Sequence, residues 1–240
     1  MNDGISISNF TDYIKNEEKI FGVMIGVVIK NDSANDSEKP GPGRVKVKIP
    51  LLGMEESNWA RIVSFMAGKE RGAFFLPEVE DEVLVAFENG EVNRPFIIGA
   101  LWNGKDAPPD TNSDGKNNMR VIKSRSGHIL QFSDKKDEEK ITVKTSKGHI
   151  FELDDKSGEE KIQIIDKAGK NKIIISTKDN KVSITSEMDI ELSAPKGKIS
   201  MSAKNIEVKS SANTKIEASS AVDIKASANM TLKGANVNIN

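Results

Sequence analysis

The C-terminal part of the sequence repeats a short pattern about every eight residues. From Val182 to Asn240, two apolar residues flanking one polar residue recur, and successive pairs start 8, 9, 7, 8, 8, 8 and 7 residues apart. Alternation with a period of two is typical of a short β-strand with one buried face. The predicted inward-facing residues, called the needle core below, are Val182, Ile184, Ile190, Leu192, Ile199, Met201, Ile206, Val208, Ile216, Val222, Ile224, Met230, Leu232, Val237 and Ile239.

The fifth position of each repeat also faces inward, and its residue is always small. These positions are occupied by Ser186, Ala194, Ala203, Ser210, Ala218, Ala226 and Gly234. Two medium apolar residues followed by a small one predict a narrow core without space for a ligand pocket. The repeat therefore indicates a mechanical function rather than a catalytic one.

Composition divides the chain into a front and a rear half. Both tryptophans, the single tyrosine and seven of the nine phenylalanines precede residue 105, and no aromatic residue follows Phe151. Residues 1–119 carry 13 basic and 19 acidic side chains, and residues 120–240 carry 22 and 17. Such mixed charge favours a solvated surface over attraction to an anionic partner. The absence of cysteine excludes disulfides and thiolate metal sites.

The front half predicts a short N-terminal segment followed by a barrel. Residues 1–19 are polar, and Phe10, Tyr13 and Ile14, together with the following Ile20, have the spacing of a short amphipathic helix. We expect this segment to dock on its own domain or on a partner, the tail hub. Residues 20–104 then alternate between short strands and turns. Five or six strands without a convincing helix predict a small closed barrel of the OB type. The expected strands are Phe21–Lys30, Arg44–Ile49, Trp59–Phe65, Glu82–Glu88 and Pro95–Leu101, with turns at Gly68–Gly72 and Asn89-Gly90.

The rear half begins with a longer repeat. A Pro/Asp/Asn/Gly-rich linker spans residues 105–119, and then Gly127, Gly148 and Gly169 stand 21 residues apart in aligned segments. Each unit predicts a strand, a charged turn and a second strand. We therefore expect a broad β-fibre at 120–181 that narrows into the eight-residue repeats at 182–240.

Several front-half segments resemble the contractile-tail central spike family. The segments GRVKVKIP (43–50), NWARI (58–62), GAFFLPE (72–78), DEVLV (81–85), RPFIIG (94–99) and LWNG (101–104) resemble, in order and spacing, the barrel of phage baseplate assembly protein V and of VgrG proteins. The SGH-type segment at residues 126–128 is similar to the start of the needle in that family.

This resemblance implies an all-β fold: an N-terminal OB-fold-like barrel followed by an intertwined homotrimeric β-helix, the needle. The residues alone are compatible with both a monomeric solenoid and a trimer, and the resemblance favours the homotrimer. It implies a non-enzymatic central spike that attaches under the tail hub and tube-end baseplate proteins and punctures the target cell envelope on sheath contraction. A separate tip protein at the C-terminal end is a further expected partner.

The N-terminus lacks the features of a signal peptide. We therefore expect synthesis in the bacterial cytoplasm and assembly into the baseplate of a virion or phage-tail-like particle.

The candidate chemistry favours structural interpretations. His128 and His149 follow glycines at equivalent repeat positions, where a surface role is favoured over a metal site. The acidic runs lack calcium-loop spacing, and no phosphate loop, nucleophile elbow or zinc-protease motif is present. We expect no catalytic residues, no metal site and no cofactor.

Nucleic-acid binding is disfavoured as well. Trp59, Phe65, Phe74, Phe75 and Phe87 occupy positions typical of core, although Arg44, Lys46 and Lys48 form a basic stripe. Two alternative functions remain: a VgrG-like type VI secretion spike, and a sugar- or nucleic-acid-binding barrel on a trimeric stalk. The missing large N-terminal hub region of VgrG proteins is expected to disfavour the first.

Overall fold

The computed structural model describes residues 19–239. They divide into two compact units, of which the first ends at Glu187 and the second begins at Met188. The predicted N-terminal helix around Phe10, Tyr13 and Ile14 lies outside the described residues. Ile20 lies next to an isolated β-bridge between Lys19 and Glu91 and donates its backbone N–H to the carbonyl oxygen of Gly90. Ile20 therefore packs on the barrel in a non-helical segment, so its inclusion in the helix was wrong.

Five strands of the first unit close into a barrel in the order β1-β2-β3-β7-β6. They are β1 (Met24–Lys30), β2 (Arg44–Lys48), β3 (Ala60–Ile62), β6 (Glu82–Phe87) and β7 (Pro95–Leu101). Closure leaves no free edge, because β1 pairs with both β2 and β6. All pairs are antiparallel except β3 with β7, which is parallel. Single 3₁₀ turns lie at Ser33–Asn35, Pro50–Leu52 and Glu88–Gly90.

Alternate residues of these strands fill the barrel. The fully buried apolar side chains are Val28, Val45, Val47, Ile49, Val83, Val85 and Ile97. Removing such a side chain from water contributes about 1.5–3 kcal/mol. Gly26 is required inside this core, because a Cβ there would lie 2.9 Å from Cγ2 of Val85. The expected OB-like barrel is thus confirmed.

The aromatic residues assigned to the core from the sequence follow two different patterns. Trp59 and Phe87 are buried, as expected. Phe65, Phe74 and Phe75 are 87%, 75% and 65% exposed, so the core assignment was wrong for these three. The reason is that β3 already ends at Ile62, and the following residues leave the barrel as a hairpin.

This hairpin consists of β4 (Ala67–Gly68) and β5 (Arg71–Gly72). Ala73 donates its backbone N–H to the carbonyl oxygen of Met66 at 3.0 Å, which closes the base of the hairpin. Gly72 has φ +141°, and a Cβ on it would lie 2.4 Å from the oxygen of Met66. Glycine is therefore required at this crossing.

The rear part of the first unit is a seven-stranded antiparallel sheet in sequential order. Its strands are β8 (Met119–Lys123), β9 (Ile129–Ser133), β10 (Lys140–Lys144), β11 (Ile150–Asp154), β12 (Lys161–Ile165), β13 (Lys172–Ser176) and β14 (Lys181–Thr185). Every neighbouring pair is fully in register over five residues, as for Ile141 opposite Leu153. An all-β chain with a barrel followed by antiparallel strands is therefore confirmed.

One residue with positive φ lies in each of the six turns of this sheet. These residues are Gly127, Asp137, Gly148, Gly158, Gly169 and Asn180. In three equivalent turns, which follow one another at intervals of 21 residues, a side-chain oxygen accepts a backbone N–H. Ser124 accepts from His128, Thr145 from His149, and Asp166 from Lys170. The 21-residue repeat of the sequence is thus a repeat of turn chemistry.

The second unit, described over residues 188–239, contains no assigned strand. Among its described residues, the one backbone–backbone hydrogen bond outside regular elements runs from the N–H of Gly197 to the oxygen of Ala194. After Asn180, no described residue has positive φ. The eight-residue repeats therefore form no ladder with one another within one chain.

Candidate assembly surfaces

The sheet β8–β14 leaves its apolar face in solvent. The register aligns two rows of apolar side chains across the strands, and alternation places both rows on one face. The exposed members include Ile122, Phe132, Ile141, Val143, Phe151, Ile162, Ile164, Ile173, Ile175, Val182 and Ile184. A continuous exposed apolar surface of this kind marks an interaction site in a soluble protein.

The opposite face of the sheet is more polar and better covered, and it also carries Ile150, Ile165 and Ile174. Thr142 donates to Oε2 of Glu152 at 3.0 Å, and Gln163 donates to Oε1 of the same carboxylate at 2.6 Å. Asp154 is 5% exposed and lies 3.6 Å from Nζ of Lys161. These polar groups are thus shielded from solvent, whereas the two apolar rows of the other face are exposed to it. An isolated soluble sheet requires the reverse arrangement.

The needle-core residues are placed in two regions. Val182 and Ile184 belong to β14, and the other members, from Ile190 to Ile239, lie in the second unit. All are more than half exposed in the single chain. Their burial against other chains stays a prediction.

Two ion pairs of the second unit support the period-two alternation. Glu207 pairs with Lys209, and Lys215 pairs with Glu217, each between residues two apart. Side chains two apart share a face in an extended chain. These charges alternate with the apolar residues of the needle core.

The aromatic hairpin, defined as residues 63–76, forms a second apolar surface that the sequence did not reveal. Its exposed members are Val63, Phe65, Met66, Phe74 and Phe75. All of these except Met66 border a cavity of about 290 Å³, which Ile62 and Leu76 also line. The usable signal was the turn predicted at Gly68–Gly72, which indicates that the chain reverses there.

The central residue of the basic stripe on β2, Lys46, is neutralised by two carboxylates. Nζ of Lys46 lies 2.8 Å from Glu56 and 3.1 Å from Glu38, and it sits 5.4 Å from the ring centroid of Trp59. The hydrogen bond with Glu56 raises the pKa of Lys46, and the bond with Glu38 adds to this although burial opposes it. Hydrogen bonds from Lys46 and Lys30 lower the pKa of Glu56. Lys46 is therefore a structural cation rather than a free contact for phosphate.

The two histidines lie in exposed turns of the sheet. Nδ1 of His128 accepts the backbone N–H of Ser146 at 3.2 Å, which joins two consecutive 21-residue repeats. Within residues 19–239, no three histidine, aspartate or glutamate side chains are grouped as metal ligands. The same part of the chain contains no helix that is long and apolar enough to cross a membrane.

A closed OB-like barrel joined to a sheet with an uncovered apolar face defines a β-rich assembly protein. Comparison with known proteins makes this specific. Residues 24–102, about a third of the chain, match the type VI secretion system/phage-baseplate injector OB domain. The barrel therefore matches the injector OB domain, and over this region the resemblance to the contractile-tail spike family is confirmed.

Curated relatives are similar over the N-terminal region. The chain is 30% identical over 108 residues to the type VI secretion system spike protein VgrG3 of Vibrio cholerae serotype O1, covering 41% of this chain and 11% of the relative. The same identity over 108 residues holds for VgrG1a of Pseudomonas aeruginosa, with 41% and 16% covered. The actin cross-linking toxin VgrG1 of Vibrio cholerae serotype O1 is 30% identical over 109 residues, 41% of this chain and 10% of the toxin. The chain thus spans between a tenth and a sixth of these relatives.

Proposed function

We propose that the chain is a non-enzymatic, homotrimeric central spike of a contractile tail baseplate. Its barrel attaches beneath the tube on hub and tube-end proteins, and its repeats form the needle that enters the target cell envelope when the sheath contracts. The injector OB domain carries the first part of this proposal. The exposed apolar side chains within residues 119–239 support the second part, the needle.

Three copies supply what one chain lacks in the eight-residue repeats. The repeats have apolar side chains without cover and backbone groups without a ladder inside the described chain. Unsatisfied backbone groups are costly once they are buried. Pairing between chains satisfies both requirements at once, and it explains why a thin apolar stripe is sufficient.

The absence of enzymatic activity in this chain is also part of the proposal. The apolar cavity beside the aromatic hairpin is lined by exposed phenylalanines, without a catalytic set of titratable groups. The toxin named among the relatives shares 109 residues with this chain, a tenth of its length. Its toxin activity therefore supplies no argument for catalysis here.

The native mass of the purified full chain tests the proposal. We expect a trimer that resists SDS and heating. Separating strands that pair between chains requires many backbone hydrogen bonds to break together. A monomer at micromolar concentration contradicts the intertwined needle. Co-purification with a tube-end or hub protein tests the baseplate position separately.

A type VI secretion spike is the second candidate. The identity of about 30% to the named VgrG spike proteins favours it. Genes for a tail sheath, tube and baseplate of a phage or phage-tail-like particle beside this gene support the first candidate, and type VI secretion genes in those positions support the second. Salt-sensitive retention on oligonucleotides or glycans supports neither and favours a binding barrel on a trimeric stalk.

A further inference from the structure

The tip of the aromatic hairpin combines positive charge with exposed rings. Lys69 and Arg71 lie at the tip with Glu70 between them, which leaves a net charge of +1, and neither cation forms an ion pair with a described residue. Nε of Arg71 lies over Gly68, 2.8 Å from where a Cβ would stand. Hydrogen bonds at the base of the hairpin, including Ser64 Oγ to the oxygen of Ala73 at 2.9 Å, hold this tip away from the barrel.

A second surface of the same barrel has the opposite charge. The acidic cavity, of about 330 Å³, is lined by Asp81, Glu82, Asp106, Trp102 and neighbouring residues. The carboxylates accept hydrogen bonds from neutral groups: Asp81 from the N–H of Glu78, and Asp106 from Asn103. None of the three has a cationic partner among the described residues, and no metal-ligand grouping occurs there. Trp102, at its rim, is 69% exposed.

The outer face beside the acidic cavity has an unexplained space. Gly99 lies inside β7 opposite Leu84, has no positive φ, and has no atom within 4 Å of a Cβ placed on it. Glycine weakens a strand interior and is typical of a site where another backbone approaches closely. Its neighbour Ile98 is 41% exposed. Nothing within the described chain fills this space.

The hairpin and the cavity lie at the same end of the barrel. β3 and β7 are parallel neighbours, and Val63 donates its N–H to the oxygen of Ile97. The hairpin follows the carboxyl end of β3, and the cavity is lined by the last residues of β7. A three-fold rotation about an axis parallel to the barrel therefore brings both surfaces to one height.

We propose that the aromatic hairpin of one copy seats in the acidic cavity of the next copy, so that three barrels form a closed ring. This inference rests on the proposed trimer and adds the contact that joins its barrels. The interface is heterologous, because two different surfaces meet and a three-fold rotation closes them. Lys69 and Arg71 meet the three carboxylates, Trp102 provides a ring for a cation, and Gly99 leaves space for the arriving backbone.

Cross-linking between two differently labelled chains tests the ring. The protein has no cysteine, so Ala67→Cys in one chain and Ala107→Cys in another introduce the only thiols. Both positions are exposed, and neither change alters a charge. We expect a short bismaleimide to give a two-chain product from co-expressed chains and none from either variant alone. A native trimer without this product overturns the ring but not the proposed function, whereas a monomer overturns both.

Two further variants control for chance proximity and for charge. Asn93→Cys lies in the loop between β6 and β7, at the opposite end of the barrel, and Asn93 is exposed, so its pairing with Ala107→Cys should give no product. Lys69→Glu combined with Arg71→Glu in the Ala67→Cys chain should remove most of the product at low salt. An undiminished product from this reversed hairpin overturns the electrostatic part of the contact.

Discussion

The sheet β8–β14 and the eight-residue repeats share one side-chain pattern but differ in where their backbone hydrogen bonds lie. Both alternate apolar and polar residues with a period of two. The sheet pairs each strand with its neighbour in the same chain, whereas residues 188–239 form no such ladder. Within the described residues, the single chain therefore pairs the backbone of the sheet but not that of the repeats.

The turns explain this difference. The sheet reverses direction through connections of four to six residues, each with one residue of positive φ. Positive φ favours the tight reversal that brings a strand back beside its predecessor. The eight-residue repeats leave only about three residues between extended segments, and none of those described has positive φ. The described repeats therefore do not fold back on themselves within the chain, and their pairing with other chains stays a prediction.

The first and largest expected effect concerns the small fifth position of the repeats. Ala226→Leu introduces the same overfilled position in all three chains at one level. Overpacking costs about 1–3 kcal/mol per site, so three sites together should abolish the heat-resistant trimer. Native mass and SDS resistance measure this, and Ala218→Leu should behave in the same way.

Lys225→Leu is the matched control, because it adds an apolar side chain next to Ala226 on the predicted outward face. We expect it to keep the trimer. If Ala226→Leu also keeps a heat-resistant trimer, the assignment of the inward face is wrong. If both variants lose it, the repeats are sensitive to hydrophobicity rather than to volume.

We expect a smaller effect from a substitution in a turn of the sheet β8–β14, because it destabilises the fold of each chain separately. Gly148 has φ +97°, a conformation that residues with a Cβ rarely adopt. Gly148→Ala should cost about 1–2 kcal/mol per chain and lower the unfolding temperature of the sheet. Gly104→Ala is the control, because Gly104 has neither positive φ nor a neighbour within 4 Å of a Cβ. Equal unfolding temperatures for both variants would show that the positive φ of Gly148 does not contribute to the stability of the sheet.

The sequence predicts these regions to different depths. The alternation of RVKVK and EVLVAF, with Val45, Val47, Val83 and Val85 inward, was sufficient for the barrel strands, because side-chain burial alone specifies a period of two. The spacing of Gly127, Gly148 and Gly169 was sufficient for the repeated turns of the sheet. In both cases, local residues carry the information.

The aromatic hairpin and the acidic cavity could not be predicted in this way. Phe74 and Phe75 are chemically suited to a core, and only the early end of β3 places them outside it. Asp81 and Asp106 are 25 residues apart in sequence and come together only through the barrel topology. The pairing of the repeats also escapes the sequence, since identical alternation serves pairing within a chain and between chains.

The smallest effect should appear on acidification, and it separates the sheet turns from the repeats. Hydrogen bonds from the backbone of Asn171 and Lys170 lower the pKa of Asp166 below its ordinary value of 3.8. A lowered carboxyl pKa stabilises the fold above the unfolded value, and this contribution is lost as the pH falls through the folded value. Wild type should therefore lose sheet stability below about pH 4. Asp166→Asn keeps an acceptor oxygen but no charge, so it should unfold at a lower temperature at neutral pH, and the difference should vanish in acid. Thermal melts followed by circular dichroism measure both curves, and a difference that stays constant from neutral to acidic pH would show that the charge of Asp166 does not support the turn.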